Sequence, residues 1–338
     1  MPADPMAVGV VGAGVMGAEI ALVAALAGHP VVLRDVDPAR VDAGLAHAAS
    51  AAERMVSRGR LDASARDAAV AAIAPATADD ALAGCGLVVE AVPERMDVKE
   101  DVFRALDAAL PPGAILASNT SGLSITALGR FTSRPDRVIG LHFFNPPVVM
   151  ALVEVIRGDD TSPATVDAAT AFVSGLGKTP VAVAECPGFL VNRVLVRAMT
   201  AAYAAAGDGA DRAAADAAVV AGGPAPMGPF ALGDLVGLDT LDHIRRDLVG
   251  AYGDRFDDGG TVAPLVAAGR LGRKSGGGFF DGPVESGAPG EAEQAVADAY
   301  YAAARDEARR VVGEQVASED DVDVALRLGA GWERGPLT

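Results

Sequence analysis

At 338 residues the chain is long enough for two domains, each with its own core, and its 22% charged and 51% apolar content excludes a disordered polypeptide. A net charge of −17 argues against nucleic acid as a partner, because phosphates call for Lys and Arg neutralisation. Any anionic ligand must then be held by backbone N–H groups and a few local cations.

Residues 8–26 approach the length of a membrane span, but Gly9, Gly12, Gly14, Gly17 and Glu19 interrupt them. They read instead as strand, turn and helix, and no membrane is expected as a partner. The turn is Gly12-Ala13-Gly14-Val15-Met16-Gly17, between a strand at 7–11 and an Ala-rich helix at 16–27. This is the context a dinucleotide site demands: Gly12 for the tight turn, Gly14 for close approach of the pyrophosphate, Gly17 for packing of helix on strand. Backbone N–H groups around Val15 and Met16 would bind the diphosphate without a cation, which is how an acidic chain can hold a dinucleotide. A second strand at 31–35 ends in Asp35, 18 residues beyond Gly17, where a carboxylate accepts from the ribose hydroxyls and repels a 2′-phosphate. NAD is expected over NADP, with Arg34 alongside as the feature that keeps NADP open.

Further strands at 87–91, 115–118, 138–143 and 152–156, with helices at 38–57 and 98–109, predict a Rossmann-type, doubly wound α/β sheet. The strand at 115–118 runs into Ser118-Asn119-Thr120-Ser121. Those residues either line the ligand crevice at the carboxyl end of a strand or form a polar loop that caps the next helix. His142 and Glu154 are single polar residues in otherwise apolar strands, separated by Asn145-Pro146-Pro147. Alone, each reads as a hydrogen-bonded core residue. Brought together across the turn, Glu154 would orient the imidazole and favour its charged form, making an acid–base pair.

After Pro187 no strand is expected. Helices at 189–206, 210–221 and 240–251 predict an all-α C-terminal domain, followed by a linker at 281–290 and helical patterning from 291 to about 316 and beyond. The chain thus divides into 1–186 for the cofactor, 187–283 for substrate and dimerisation, and 284–338 as a partial second helical unit. That last segment rests on a repeat: Asp216 and Gly228-Pro229 recur 107 residues later as Asp323 and Gly335-Pro336. Cys85 and Cys186 are too few for a disulfide framework or a four-ligand zinc site, and the four histidines lack metal spacing. The first residues lack the basic start of a signal peptide, so a soluble, metal-free, cytoplasmic protein is expected.

Taken in order, these segments resemble the 3-hydroxyacyl-CoA dehydrogenase family. The likeness rests on residues 12–17, Ala91-Val92-Pro93-Glu94, Ser118 to Ser121, His142-Phe143-Phe144-Asn145-Pro146 and residues 152–156. It continues through Pro187-Gly188-Phe189-Leu190-Val191-Asn192-Arg193, Met227-Gly228-Pro229-Phe230 with 234–239, and Lys274-Ser275-Gly276-Gly277-Gly278-Phe279-Phe280. The resemblance implies NAD-dependent interconversion of a 3-hydroxyacyl and a 3-oxoacyl thioester, with CoA as carrier. It makes His142 the general base with Glu154 as partner, and puts Ser121 and Asn192 on the reacting oxygens. Glu94, Lys99, Asn119 and Lys274 would contact the cofactor; Lys99, Asn145 and Arg58 would reach the substrate and its carrier. Helical domains of this family form dimers, and a homodimer is expected here. Some members have a CoA-binding serine where this chain has Ala51, which leaves a carrier-protein thioester open. A free hydroxy or sugar acid as substrate, and a non-catalytic NAD-binding protein, are the remaining alternatives.

Overall fold

Two compact units, Met1–Glu185 and Cys186–Thr338, make up the computed structural model, which describes residues 6–207, 209–282 and 287–338. In chain order the first unit opens with β1 (Val8–Val11), α1 (Val15–Leu26), β2 (Val31–Arg34), α2 (Pro38–Ser57), α3 (Ala63–Ala71) and β3 (Ile73–Ala76). It continues with β4 (Leu87–Glu90), α4 (Met96–Ala109), β5 (Ile115–Ser118), α5 (Ile125–Arg130) and β6 (Val138–Phe143). β7 (Leu152–Arg157), α6 (Pro163–Gly175) and β8 (Thr179–Ala184) complete it.

The eight strands form one sheet in the order β3-β2-β1-β4-β5-β6-β7-β8. Only β6 and β7 are antiparallel; every other neighbouring pair is parallel. The chain winds outward from β1 to one edge and from β4 to the other, so the switch point lies between those two strands. Ligands of doubly wound sheets bind beyond the carboxyl ends at that point. Strands β1, β4, β5 and β6 are buried over their whole length, which is why they read as unbroken apolar runs.

Both edge strands contain a proline, Pro75 in β3 and Pro180 in β8. Proline lacks the N–H a central ladder needs and blunts an edge against further pairing. The same prolines hide these two strands from a reading based on apolar runs. Helix α1 is buried from Gly17 through Ala25, and its alanines let it lie close against the sheet.

The second unit is helical: α7 (Val191–Ala206), α8 (Arg212–Gly222), α9 (Pro229–Val236), α10 (Leu238–Tyr252), α11 (Ala263–Ala267), α12 (Glu291–Gly313) and α13 (Glu319–Gly329). Helix α12 packs along α7 and α8. Tyr203, Phe230 and Phe279 form an aromatic centre with ring centroids 5.0–5.1 Å apart. Of the linker expected at 281–290, residues 283–286 lie outside the described residues.

Several buried carboxylates in this unit serve backbone amides. Asp216 accepts from Phe230 N at 2.9 Å and Ala231 N at 2.8 Å, tying α8 to the start of α9. Asp323 accepts from Leu337 N at 3.0 Å. A Cβ added at Gly228 or Gly335 would lie 2.3 or 2.0 Å from the corresponding aspartate, so the two Asp/Gly-Pro segments share one local geometry. Among the described residues no helix is long and apolar enough to cross a membrane, and no three metal-ligating side chains cluster.

Candidate active site

The glycine turn follows β1 at the switch point. Gly12 has φ 102°, a left-handed conformation, and a Cβ there would meet Ala91 O at 2.6 Å. A Cβ at Gly17 would lie 1.8 Å from Gly12 O, so the helix can approach the turn only without a side chain. A Cβ at Gly14, in contrast, meets nothing within 4 Å: that glycine faces open space and allows a ligand close to the backbone. Helix α1 has no side-chain cap and no acidic residue in its first turn. Its N-terminal amides around Val15 and Met16 are therefore arranged for an anion, and the turn fits a dinucleotide diphosphate.

Asp35, just after β2, is nearly buried and accepts from Ala13 N at 2.9 Å, bracing the glycine turn. Arg34 pairs with Asp79 at 2.8 Å. The guanidinium that left NADP open in the sequence is thus committed to a carboxylate. The residue pair at the end of β2 offers an acid to a ribose and no uncommitted cation to a 2′-phosphate.

Beyond β4 and β5 lies a buried polar network. Lys99 of α4 is 1% exposed, with Nζ 2.7 Å from Glu90 Oε1 and 3.3 Å from Glu94 Oε2. Ser118 donates to Glu90 Oε2 at 2.6 Å. Glu94 Oε1 accepts from Thr120 Oγ1 at 2.5 Å and Ser121 N at 2.9 Å. Lys99 is enclosed by carboxylates, and what it does from there is hold Glu94 and the Ser118-to-Ser121 loop in place. Glu90 takes part without having been singled out in the sequence; a glutamate ending an apolar strand was the signal available.

His142 and Glu154 are register partners on β6 and β7. Nδ1 of the imidazole stands 2.7 Å from Glu154 Oε2, and Glu154 is fully buried. Paired strands put directly opposite residues on the same face, so two residues 12 apart in sequence meet once the hairpin forms. Asn119, at the end of β5, accepts from Phe143 N at 2.8 Å, which ties the polar loop to the residue after the histidine. The Phe144 ring lies 4.6 Å from the imidazole, centroid to centroid.

The connection from β6 to β7 carries Asn145, exposed, before a cis peptide to Pro146. Lys178 secures this loop from beneath, donating to Pro147 O at 2.6 Å and Met150 O at 2.8 Å; burial lowers the pKa of its ammonium. Arg58 is exposed at the C-terminal cap of α2. In the second unit Asn192 is half-buried in the first turn of α7, and Lys274 pairs with Asp239 at 2.5 Å.

A dinucleotide-binding α/β unit with a buried His–Glu contact at facing strand positions, followed in the chain by a helical unit, fits an oxidoreductase. The chain matches the 3-hydroxyacyl-CoA dehydrogenase NAD binding domain over residues 7–186 and the 3-hydroxyacyl-CoA dehydrogenase C-terminal domain over residues 188–282. It belongs to the 3-hydroxyacyl-CoA dehydrogenase family, and its cofactor is NAD.

Among its relatives, a 3-hydroxybutyryl-CoA dehydrogenase of Bradyrhizobium diazoefficiens is 43% identical over 276 residues, which is 81% of this chain and 94% of that protein. A fatty acid oxidation complex subunit alpha of Idiomarina loihiensis is 40% identical over 274 residues, or 80% of this chain. That match spans 38% of the subunit's own length. The crystal structure of a 3-hydroxybutyryl-CoA dehydrogenase from Escherichia coli K12 superimposes with a TM-score of 0.92 at 29% identity, covering 99% of this chain and 91% of that one. An (S)-3-hydroxybutyryl-CoA dehydrogenase from Ralstonia eutropha gives 0.80 at 40% identity, covering 82% of this chain and 99% of that one.

Proposed function

We propose that this protein oxidises a short-chain (S)-3-hydroxyacyl-CoA to the 3-oxoacyl-CoA with NAD, or runs the reverse, with His142 as the proton carrier. The observation that supports this most directly is the 2.7 Å contact between His142 Nδ1 and the buried Glu154. With Nδ1 turned to the carboxylate, proton transfer runs through Nε2, and Glu154 holds the ring plane. NAD, bound by the turn from Gly12 to Gly17 and by Asp35, supplies the hydride acceptor.

The chain's own residues divide the remaining work. His142 takes the proton of the 3-hydroxyl as the hydride leaves C3, and returns it in reduction. Ser121 and Asn192 hold the substrate oxygens. Asn119 keeps the end of β5 tied to β6, and Glu94, set by Lys99, borders the cofactor. Asn145 and the exposed Arg58 serve the acyl thioester and the phosphates of its carrier, and Lys274 serves the cofactor. We assign residues 1–186 to the cofactor, 187–283 to substrate binding and dimerisation, and 284–338 to a partial second helical unit; the shared Asp216 and Asp323 geometry supports the last. The working form is a cytoplasmic homodimer.

The test is oxidation of NADH with acetoacetyl-CoA by the wild type and His142→Ala. Loss of kcat by roughly 10²–10⁴-fold with NADH affinity unchanged is expected for removal of a general acid–base. A wild type that binds NADH and does not turn over acetoacetyl-CoA overturns the CoA reading and points to a carrier-protein thioester or a free hydroxy acid.

A further inference from the structure

The helical unit contains a buried charge cluster that the proposed reaction leaves unused. Arg193 of α7 has no exposure; its Nε donates to Glu307 Oε1 at 2.7 Å, and its Nη1 stands 2.8 Å from Glu314 Oε2. The guanidinium lies 4.3 Å over the Tyr252 ring, and Arg255 covers the same ring at 4.6 Å. Arg255 donates from Nε to Glu307 Oε2 at 2.9 Å and from Nη2 to Oε1 at 3.1 Å, so the fully buried Glu307 accepts from two guanidinium groups and shares Oε1 between them. Glu307 and Glu314 are seven residues apart on α12 and its C-terminal cap, two turns along one face.

The location of Arg193 gives the cluster a consequence. Its own N–H donates to Gly188 O at 3.1 Å, closing the turn that starts α7. In that turn Gly188 has φ 76° and the buried Phe189 has φ 51°. A bulky L residue keeps a left-handed conformation only where its surroundings over-determine it, and such positions cluster at functional sites. Asn192 is the residue before Arg193, in the same turn. An immobile Arg193 side chain fixes the first turn of α7, and with it the direction of Asn192.

Helix α12 begins at Glu291, beyond the family-matched stretch that ends at residue 282. We infer that Glu307 and Glu314, acting through Arg193, are positioning residues for Asn192, so that the C-terminal extension sets the geometry of a substrate-binding turn. This rests on the reading of Asn192 as a ligand to a substrate oxygen.

The test compares full-length Glu307→Gln and Glu314→Gln, each in the wild-type and Asn192→Ala backgrounds, by kcat and KM for acetoacetyl-CoA, NADH affinity and thermal midpoint. Glu314 is half-exposed, so its variant folds even where loss of the buried Glu307 charge prevents folding. In the wild-type background kcat falls about tenfold with NADH affinity unchanged, and in the Asn192→Ala background the same substitution changes kcat by less than about twofold, as for residues acting through one another. Equal losses in both backgrounds, or a lowered thermal midpoint with kcat intact, make the cluster merely structural and overturn the proposal. If Asn192→Ala alone leaves kcat at the wild-type value, the reading of Asn192 fails, and the positioning role falls with it.

Discussion

The two units of this protein place their buried carboxylates in opposite ways. In the sheet unit, Glu154 and Asp35 lie at or just beyond strand positions, and the backbone ladder decides what they meet: Glu154 faces His142 by register, and Asp35 braces the glycine turn. In the helical unit, Asp216, Asp234 and Asp323 are aimed at amides from distant segments. Asp234, for example, accepts from Phe279 N at 2.7 Å and Phe280 N at 3.0 Å. Strand register thus brings Glu154 to another side chain, whereas the helical acids tie loops and helix starts together through backbone amides. A net charge of −17 is tolerable partly because so many acids have amide or cationic partners inside the protein.

The comparison breaks most sharply at Glu154. Glu154→Gln keeps the shape and removes the charge; kcat with acetoacetyl-CoA is expected to fall about 10²-fold while NADH affinity holds. A kcat within twofold of wild type means that register alone, without charge, is all the pair provides. Next in size is cofactor choice. Asp35→Ser combined with Asp79→Ala removes the ribose acceptor and releases Arg34, so kcat/KM for NAD falls about tenfold and that for NADP rises. Steady-state kinetics with both cofactors decides this, and an unchanged ratio shows that the end of β2 does not discriminate.

The smallest effect separates the helical acids by pH. Burial raises the Asp216 carboxyl to about 7, and Asp234 nearby adds to the rise, against two amide hydrogen bonds that lower it. Its folded pKa therefore exceeds the value of about 4 for an unfolded aspartate. The folded state binds the proton more tightly, so this contribution to stability is present at low pH and is lost as pH rises from about 4 through about 7. Thermal midpoints of wild type minus Asp216→Asn should accordingly be larger at pH ~5 than at pH ~8, by a few degrees. A pH-independent difference shows that the two amide bonds already compensate the buried charge.

Much of this architecture is written locally. Glycines at 12, 14 and 17 after an apolar strand specify the dinucleotide turn, because only a residue without Cβ fits the positive φ of Gly12 or the contact of Gly17 with Gly12 O. Fully buried strands announce themselves as apolar runs, and the lone polar residues in β6 and β7, His142 and Glu154, stand out against them. The 107-residue repeat is visible because an aspartate and a Gly-Pro form a self-contained motif.

The tertiary structure alone decided the rest. Pro75 and Pro180 conceal β3 and β8, whose place as edge strands comes from pairing with β2 and β7. Arg34 reads as a possible phosphate ligand until Asp79, 45 residues on, takes it. Glu90 and Glu94 enclose Lys99 from outside its own helix, and Arg193 finds Glu307 across 114 residues. A charged side chain's role depends on which opposite charge the fold brings within a few ångströms, and local pattern holds no record of such long-range pairings.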